Sequence, residues 1–188
     1  FEVKVDLTQT GIEKEETVQL LKGALAFYRE FSAGQRALTG WVGLPEKQGR
    51  KELDAIRNAG EKIRTSCGIL IVVGIGGSCL GACAAISALR GKGAGGPEVL
   101  FAGNNLSGTY HAGILKRLSE EDACLCVISK SGETIETRAA FSIFQDAMIR
   151  KYGTQEAKKR IFVVTDREKG VLRKEAETME YETFAVPE

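Results

Sequence analysis

Two short segments carry the residue types that can grip an anion. The first, Ser129-Lys130-Ser131-Gly132-Glu133-Thr134, puts three hydroxyls, a lysine and a glycine just ahead of a helical pattern. A phosphate dianion is satisfied by that set: hydroxyl donors, converging backbone N–H groups and the positive end of a helix dipole. Gly132 relaxes the backbone so that several N–H groups can converge. A plainer reading is a serine-rich helix cap, with Glu133 complementing the dipole. One cap does not need three hydroxyls, and the spacing favours a phosphate site. The second segment, Gly74-Ile75-Gly76-Gly77-Ser78, precedes another helix. Its small residues let a ligand approach the backbone, and Ser78 can cap the helix or bond a ligand hydroxyl. Glycine at such a turn also serves packing alone, and the two readings stand level.

The familiar glycine-rich loops do not fit. The dinucleotide fingerprint needs glycine where Cys79 stands. A phosphate loop of the Walker type needs Gly-Lys-Ser/Thr, but Gly91-Lys92 is followed by Gly93, and a nucleophile elbow around Ser78 needs glycine at Leu80. The segment Gly103-Asn104-Asn105-Leu106-Ser107-Gly108-Thr109 reads as an ordinary turn near the other two loops. His111, the single histidine, reads as structural or solvated. Cys79 and Cys83 share a helix face, and Cys124 and Cys126 a strand face. Both pairs lie in apolar runs where cysteine acts as a small core residue, so no metal site is expected.

The elements that must position these segments follow from periodicity. Residues 1–66 read as a helical leader. A short strand is expected at Phe1 to Val5, and a helix from about Lys14 to Ser32 with Leu20, Ala24, Phe27 and Phe31 on one stripe. A loop carrying Trp41 follows, then a helix from Arg50 to Ser66. From residue 67 the texture changes. Apolar runs at 69–73, 99–101, 124–128, 161–164 and 183–186 alternate with helical patterns at about 79–90, 108–119, 133–151 and 168–180. Continuous apolar runs are what strands covered on both faces require. The alternation predicts an α/β protein: a three-layer α/β/α sandwich around a five-stranded parallel sheet spanning residues 67–188. Ligands in such sheets bind beyond the carboxyl ends of the strands, where both segments fall. The charged stretch Lys151 to Arg160 reads as a solvated helix end and loop, and Gly91 to Gly96 as a flexible connector.

Composition narrows the function. Among 188 residues, 26 Lys+Arg nearly balance 25 Asp+Glu, for a net charge of +1. That balance argues against a nucleic-acid binder working by bulk charge and against a polybasic membrane clamp. No run approaches the roughly 18 apolar residues that span a bilayer. Five cysteines, an odd number at these spacings, do not read as a disulfide framework, so a reducing cytoplasm is expected. The chain opens on Phe1 without a methionine or a signal peptide, which suggests a fragment.

The strings Val73-Gly74-Ile75-Gly76-Gly77-Ser78, Gly103 through Tyr110 and Ile128-Ser129-Lys130-Ser131-Gly132 resemble the bacterial-type glucose-6-phosphate isomerases, as do Val164-Thr165-Asp166-Arg167-Glu168-Lys169-Gly170 and Gly40-Trp41-Val42-Gly43-Leu44-Pro45. The resemblance covers nearly the whole chain. It implies the leader and the first of two sugar isomerase (SIS) domains. It further implies that Ser129, Ser131 and Thr134, with the backbone from Lys130 through Gly132 and Glu133 to Thr134, hold a sugar phosphate, and that Gly77 and Ser78 line the sugar. Many relatives have threonine at the place of Glu133, whose carboxylate would repel a phosphate unless it turned outward. The family interconverts glucose 6-phosphate and fructose 6-phosphate through a cis-enediol, without cofactor or metal, usually as a homodimer or larger. Its catalytic glutamate, arginine, histidine and lysine are expected outside this chain, so no catalytic residue is assigned here. His111 does not match the family histidine, and Glu136 is a candidate partner within the intact site. The alternative is a stand-alone SIS module that senses a phosphosugar without catalysis. A domain making glucosamine 6-phosphate fits the Ser-Gly-Glu-Thr string and little else.

Overall fold

The apolar runs are strands, and the segments between them form helices. The computed structural model describes residue 11, residues 14–33, residue 44, residues 49–89 and residues 95–186. The expected strand at Phe1 to Val5 and most of the Trp41 loop and the Gly91 to Gly96 connector lie outside these residues. The chain divides into two compact units, one of which spans Gly49–Val186. In the other, α1 (Lys14–Ser32) begins with Glu15 and Glu16 at its positive end and closes with Arg29, as a helix dipole favours. Phe27 and Phe31, one turn apart, stack with ring centroids 6.0 Å apart.

The larger unit opens with α2 (Arg50–Ser66). There follow β1 (Ile69–Val73), a 3-10 turn at Gly76–Ser78, α3 (Leu80–Leu89), β2 (Glu98–Ala102), α4 (Gly108–Glu120) and β3 (Ala123–Ile128). The remaining elements are α5 (Ile135–Tyr152), α6 (Thr154–Arg160), β4 (Ile161–Thr165), α7 (Val171–Thr178) and β5 (Glu182–Ala185). The sheet is parallel throughout in the order β2-β1-β3-β4-β5. Although the strands are apolar along their length, the pleat still sorts them. Ile69, Ile71, Val73, Leu125, Val127, Ile161 and Val163 pack with Ile114 and Leu118 of α4, Phe141, Phe144 and Met148 of α5, and Leu172 and Ala176 of α7. The alternate positions Leu70, Cys124, Cys126, Phe162 and Phe184 face Ala59 and Ile63 of α2. Helices therefore cover both faces, as α/β/α layering requires.

α2 buries Ala59 against Cys124 and Phe162 and so packs with the sheet, within the unit Gly49–Val186. The stretch expected as a solvated loop contains α6. Gly153, at φ +74°, ends α5 and donates its N–H to the Ile149 carbonyl, which lets the chain restart as a helix. α6 buries Ala157 in the core. It also sets Arg160 over the Tyr152 ring at 4.5 Å, with Nη1 donating to the Ser66 carbonyl at 2.8 Å. Among the described residues no helix is long and apolar enough to cross a membrane.

Candidate functional site

The strand order creates one place where connections diverge. From β1 the chain crosses to β2 on one side, and from β2 it returns past β1 to β3 on the other. The turns that leave β1 and β3 therefore run toward opposite faces and open a crevice between them, the usual ligand position in a sheet of this kind. Register places the strand ends side by side: Val73 pairs with Val127, and Ile128 with Val164. A cleft of about 500 Å³ lies there, lined by Ile75 and Ser78 from the β1 turn, Ile128–Thr134 without Gly132, Thr137 of α5, and Asp166, Lys169 and Gly170 from the β4 turn.

The β1 turn is tight because its glycines permit it. A Cβ on Gly74 would stand 3.0 Å from Ser78 Cβ and 3.3 Å from the Ile128 carbonyl oxygen, so the strand end and the β3 turn close on bare backbone. Gly76 takes φ +56° and starts the 3-10 turn that delivers Ser78 to the cleft.

The β3 turn is held by its own hydroxyls. Ser129 Oγ accepts from Gly132 N at 3.0 Å and Ser131 Oγ from Glu133 N at 3.2 Å. A hydroxyl that accepts an N–H keeps its own proton to donate. Thr134 stands at the N-cap of α5 but caps no amide with its side chain, and the first-turn N–H groups have no intrahelical carbonyl to meet. Beneath them Thr137 is 2% exposed, and its Oγ1 has no hydrogen-bond partner among the described residues. The arrangement can bind an anion through hydroxyl and amide donors at a helix start.

The β4 turn completes the wall. The Lys130 carbonyl accepts from Asp166 N and Thr165 Oγ1, each at 3.3 Å. Asp166 Oδ1 accepts from Glu168 N and Lys169 N, both at 2.9 Å. Those two amides hold the Asp166 carboxyl below the ordinary carboxylate range, and the nearby charges of Lys130 and Lys169 add to the effect. Two glycines interlock the turns. A Cβ on Gly132, at φ +75°, would meet Leu172 N and Cβ at 2.5 Å, and one on Gly170, at φ +99°, would meet the Ser131 carbonyl oxygen at 2.7 Å.

Of the residues singled out in the sequence, Ser78, Ser129, Lys130, Ser131, Glu133 and Thr134 are brought together at the cleft. Gly132 lies behind the wall as buried backbone, and Gly77 and Glu136 do not line it. Glu133 is exposed at the rim. Thr137, Asp166, Lys169 and Gly170 join the site without having been assigned to it from the sequence. The rule that ligands gather at strand ends could have flagged the β4 turn. His111 is buried with its ring edge-on to Phe144 at 5.7 Å, away from the cleft, and its Nε2 has no partner among the described residues. In the turn after β2, Asn105 Oδ1 accepts from Ser107 N, and Ser107 Oγ caps α4 by accepting from Tyr110 N. Burial raises the Cys126 thiol to about 12, and among the described residues no cluster of His, Cys, Asp and Glu is suited to a metal ion.

Residues 48–178 match the family model described as phosphoglucose isomerase. The chain belongs to the phosphoglucose isomerase family. It is similar to the glucose-6-phosphate isomerase of Streptococcus pneumoniae serotype 19F strain G54, with 44% identity over 157 residues, covering 79% of this chain and 35% of that protein. It is also similar to those of Caldanaerobacter subterraneus subsp. tengcongensis, at 42% identity covering 89% and 39%, and of Pediococcus pentosaceus, at 40% covering 94% and 41%. The chain thus spans 35% to 41% of the length of these relatives. Among solved structures, a hypothetical protein from Thermus thermophilus superposes with a TM-score of 0.76 at 24% identity, over 93% of this chain and 41% of that one, and shares the fold. A glucose-6-phosphate isomerase from Chlamydia trachomatis superposes with a TM-score of 0.59 at 26% identity, over 72% of this chain and 26% of that one.

Proposed function

We propose that this chain is the sugar-phosphate-holding part of a glucose-6-phosphate isomerase. In this reading the cleft grips the phosphate of glucose 6-phosphate or fructose 6-phosphate. Ser129, Ser131 and Thr134 donate from their hydroxyls, and within the backbone from Lys130 to Thr134 the amides of Gly132 and Glu133 hold Ser129 and Ser131 in place while the others and the first turn of α5 face the anion. Ser78 borders the sugar, and Gly77, next to it in the turn, lets the backbone pass close behind. The observation that carries the reading is the convergence of these donors in a crevice between diverging strand connections, in a chain whose relatives are named for this isomerisation.

The mechanism is a division of labour. Binding energy from the remote phosphate fixes C1 and C2 of the sugar against acids and bases that pass a proton between them through a cis-enediol. No residue of this chain is assigned to the proton transfer. The reading also carries the family's homodimer or larger assembly and a cytoplasmic location. The five cysteines, all free, fit a reducing compartment.

A hydrogen bond to a charged group contributes about 1.5–3 kcal/mol. Ser131→Ala should therefore weaken glucose 6-phosphate binding by about 10- to 100-fold in isothermal titration. An unchanged dissociation constant would remove Ser131 from the site and the phosphate reading with it.

A further inference from the structure

The cleft carries charges of both signs. Its charged lining residues are Lys130, Glu133, Asp166 and Lys169, so the two lysines offset the two carboxylates. Without Lys169 the lining would hold one positive and two negative side chains, which is an unfavourable field for a dianion. Lys169 is exposed, but its backbone is held on both sides. Asp166 Oδ1 takes its backbone N–H at 2.9 Å, and the next residue, Gly170, seats directly on the Ser131 carbonyl, with no room for a Cβ. Arg167 and Glu168, exposed in the same turn, do not line the cleft, whereas Lys169 does.

We propose that Lys169 determines the specificity of this cleft for a doubly charged phosphate, as the cation that lets an otherwise acidic rim accept a dianion. This rests on the phosphate reading above. The β4 turn, stitched to the β3 turn through Lys130 and Ser131, delivers the charge, and Asp166 positions it by capping the turn. A monoanionic ligand of the same shape gains less from Lys169 than a dianion does, because the attraction scales with the product of the charges.

The test is isothermal titration of the chain with glucose 6-phosphate and with glucose 6-sulfate, its monoanionic counterpart, for the parent sequence, Lys169→Ala, Lys169→Arg and Ser131→Ala. Lys169→Ala should weaken glucose 6-phosphate binding about 3- to 10-fold at low salt, with the gap closing as salt rises. It should also reduce the preference for phosphate over sulfate, which Lys169→Arg should retain. A loss of affinity equal for both ligands would make Lys169 a structural residue and overturn the proposal. Unchanged affinity in Lys169→Ala, with Ser131→Ala weakened, would overturn it while leaving the phosphate reading intact. If no variant alters binding, or the chain binds neither ligand, both readings fall.

Discussion

Thr137 is the residue whose state is most diagnostic. Its hydroxyl is buried beneath the α5 start without a partner among the described residues, a cost that folded proteins normally avoid. In the proposed reading a bound anion, or a water held with it, supplies the missing partner. Thr137→Val should then leave the melting temperature unchanged or slightly raised, since no hydrogen bond is lost, while affinity for glucose 6-phosphate falls about 3- to 10-fold. A large drop in melting temperature would show that the hydroxyl is already committed in the free protein. Gly170 is diagnostic in another way. Its φ of +99° and the 2.7 Å approach of a Cβ to the Ser131 oxygen make Gly170→Ala strained twice over. We expect a loss of about 1–3 kcal/mol in chemical denaturation, with weaker phosphate binding because the β3 turn is pushed aside. Asp166 sets a pH dependence. Its carboxyl is held low by the amides of Glu168 and Lys169, so its contribution to stability is present above the ordinary aspartate range and is lost as pH falls through the depressed value. Asp166→Asn keeps the acceptor but loses the charge. Its melting temperature should therefore lie slightly below the parent's at neutral pH and converge with it under acid. Parallel curves would deny Asp166 that role.

At the scale of elements, the strands and longer helices are legible because each repeats one physical signal. Residues 69–73 and 124–128 are unbroken apolar runs too short for helices, and α1 and α2 appear where the periodicity places them. The structure resolves what chain order conceals. Asp166 and Lys169 lie some thirty-five residues beyond Ser131, and only the pairing of β3 with β4 brings them to the same cleft. α6 escapes because seven residues, all but one of them polar or charged, carry no amphipathic repeat, and its one buried residue is an alanine. Gly132 reads in the sequence as a residue that relaxes the backbone so that N–H groups can converge. At φ +75° it is the point where the turn meets Leu172. The helices differ sharply in how much they contribute. Phe144 on α5 is fully buried, whereas Leu89 on α3 is 84% exposed. Phe144→Ala should cost about 3–5 kcal/mol. Leu89→Ala should stay within about 0.5 kcal/mol. Similar losses for both in urea denaturation would mean that the cores are assigned to the wrong face.

For the whole molecule, the near-neutral charge argues against bulk nucleic-acid binding, the Ser129–Thr134 segment points to a small anion, and the resemblance in five strings implies its class. The chain spans 35% to 41% of its relatives, and the proposed reading gives its residues binding and orientation but no proton transfer. The purified 188-residue chain should therefore bind sugar phosphate without isomerising it. Turnover well above background in a coupled assay would place the proton-transferring base among these residues.

The most direct measurement is amide chemical-shift mapping of the chain by two-dimensional NMR as glucose 6-phosphate is added, with glucose as the control. The account predicts shifts concentrated at Ser129 to Thr137, at Ser78 and at Asp166 to Gly170 with the phosphate ester, and none there with glucose. Shifts centred elsewhere on the sheet, or no difference between the two sugars, would contradict it.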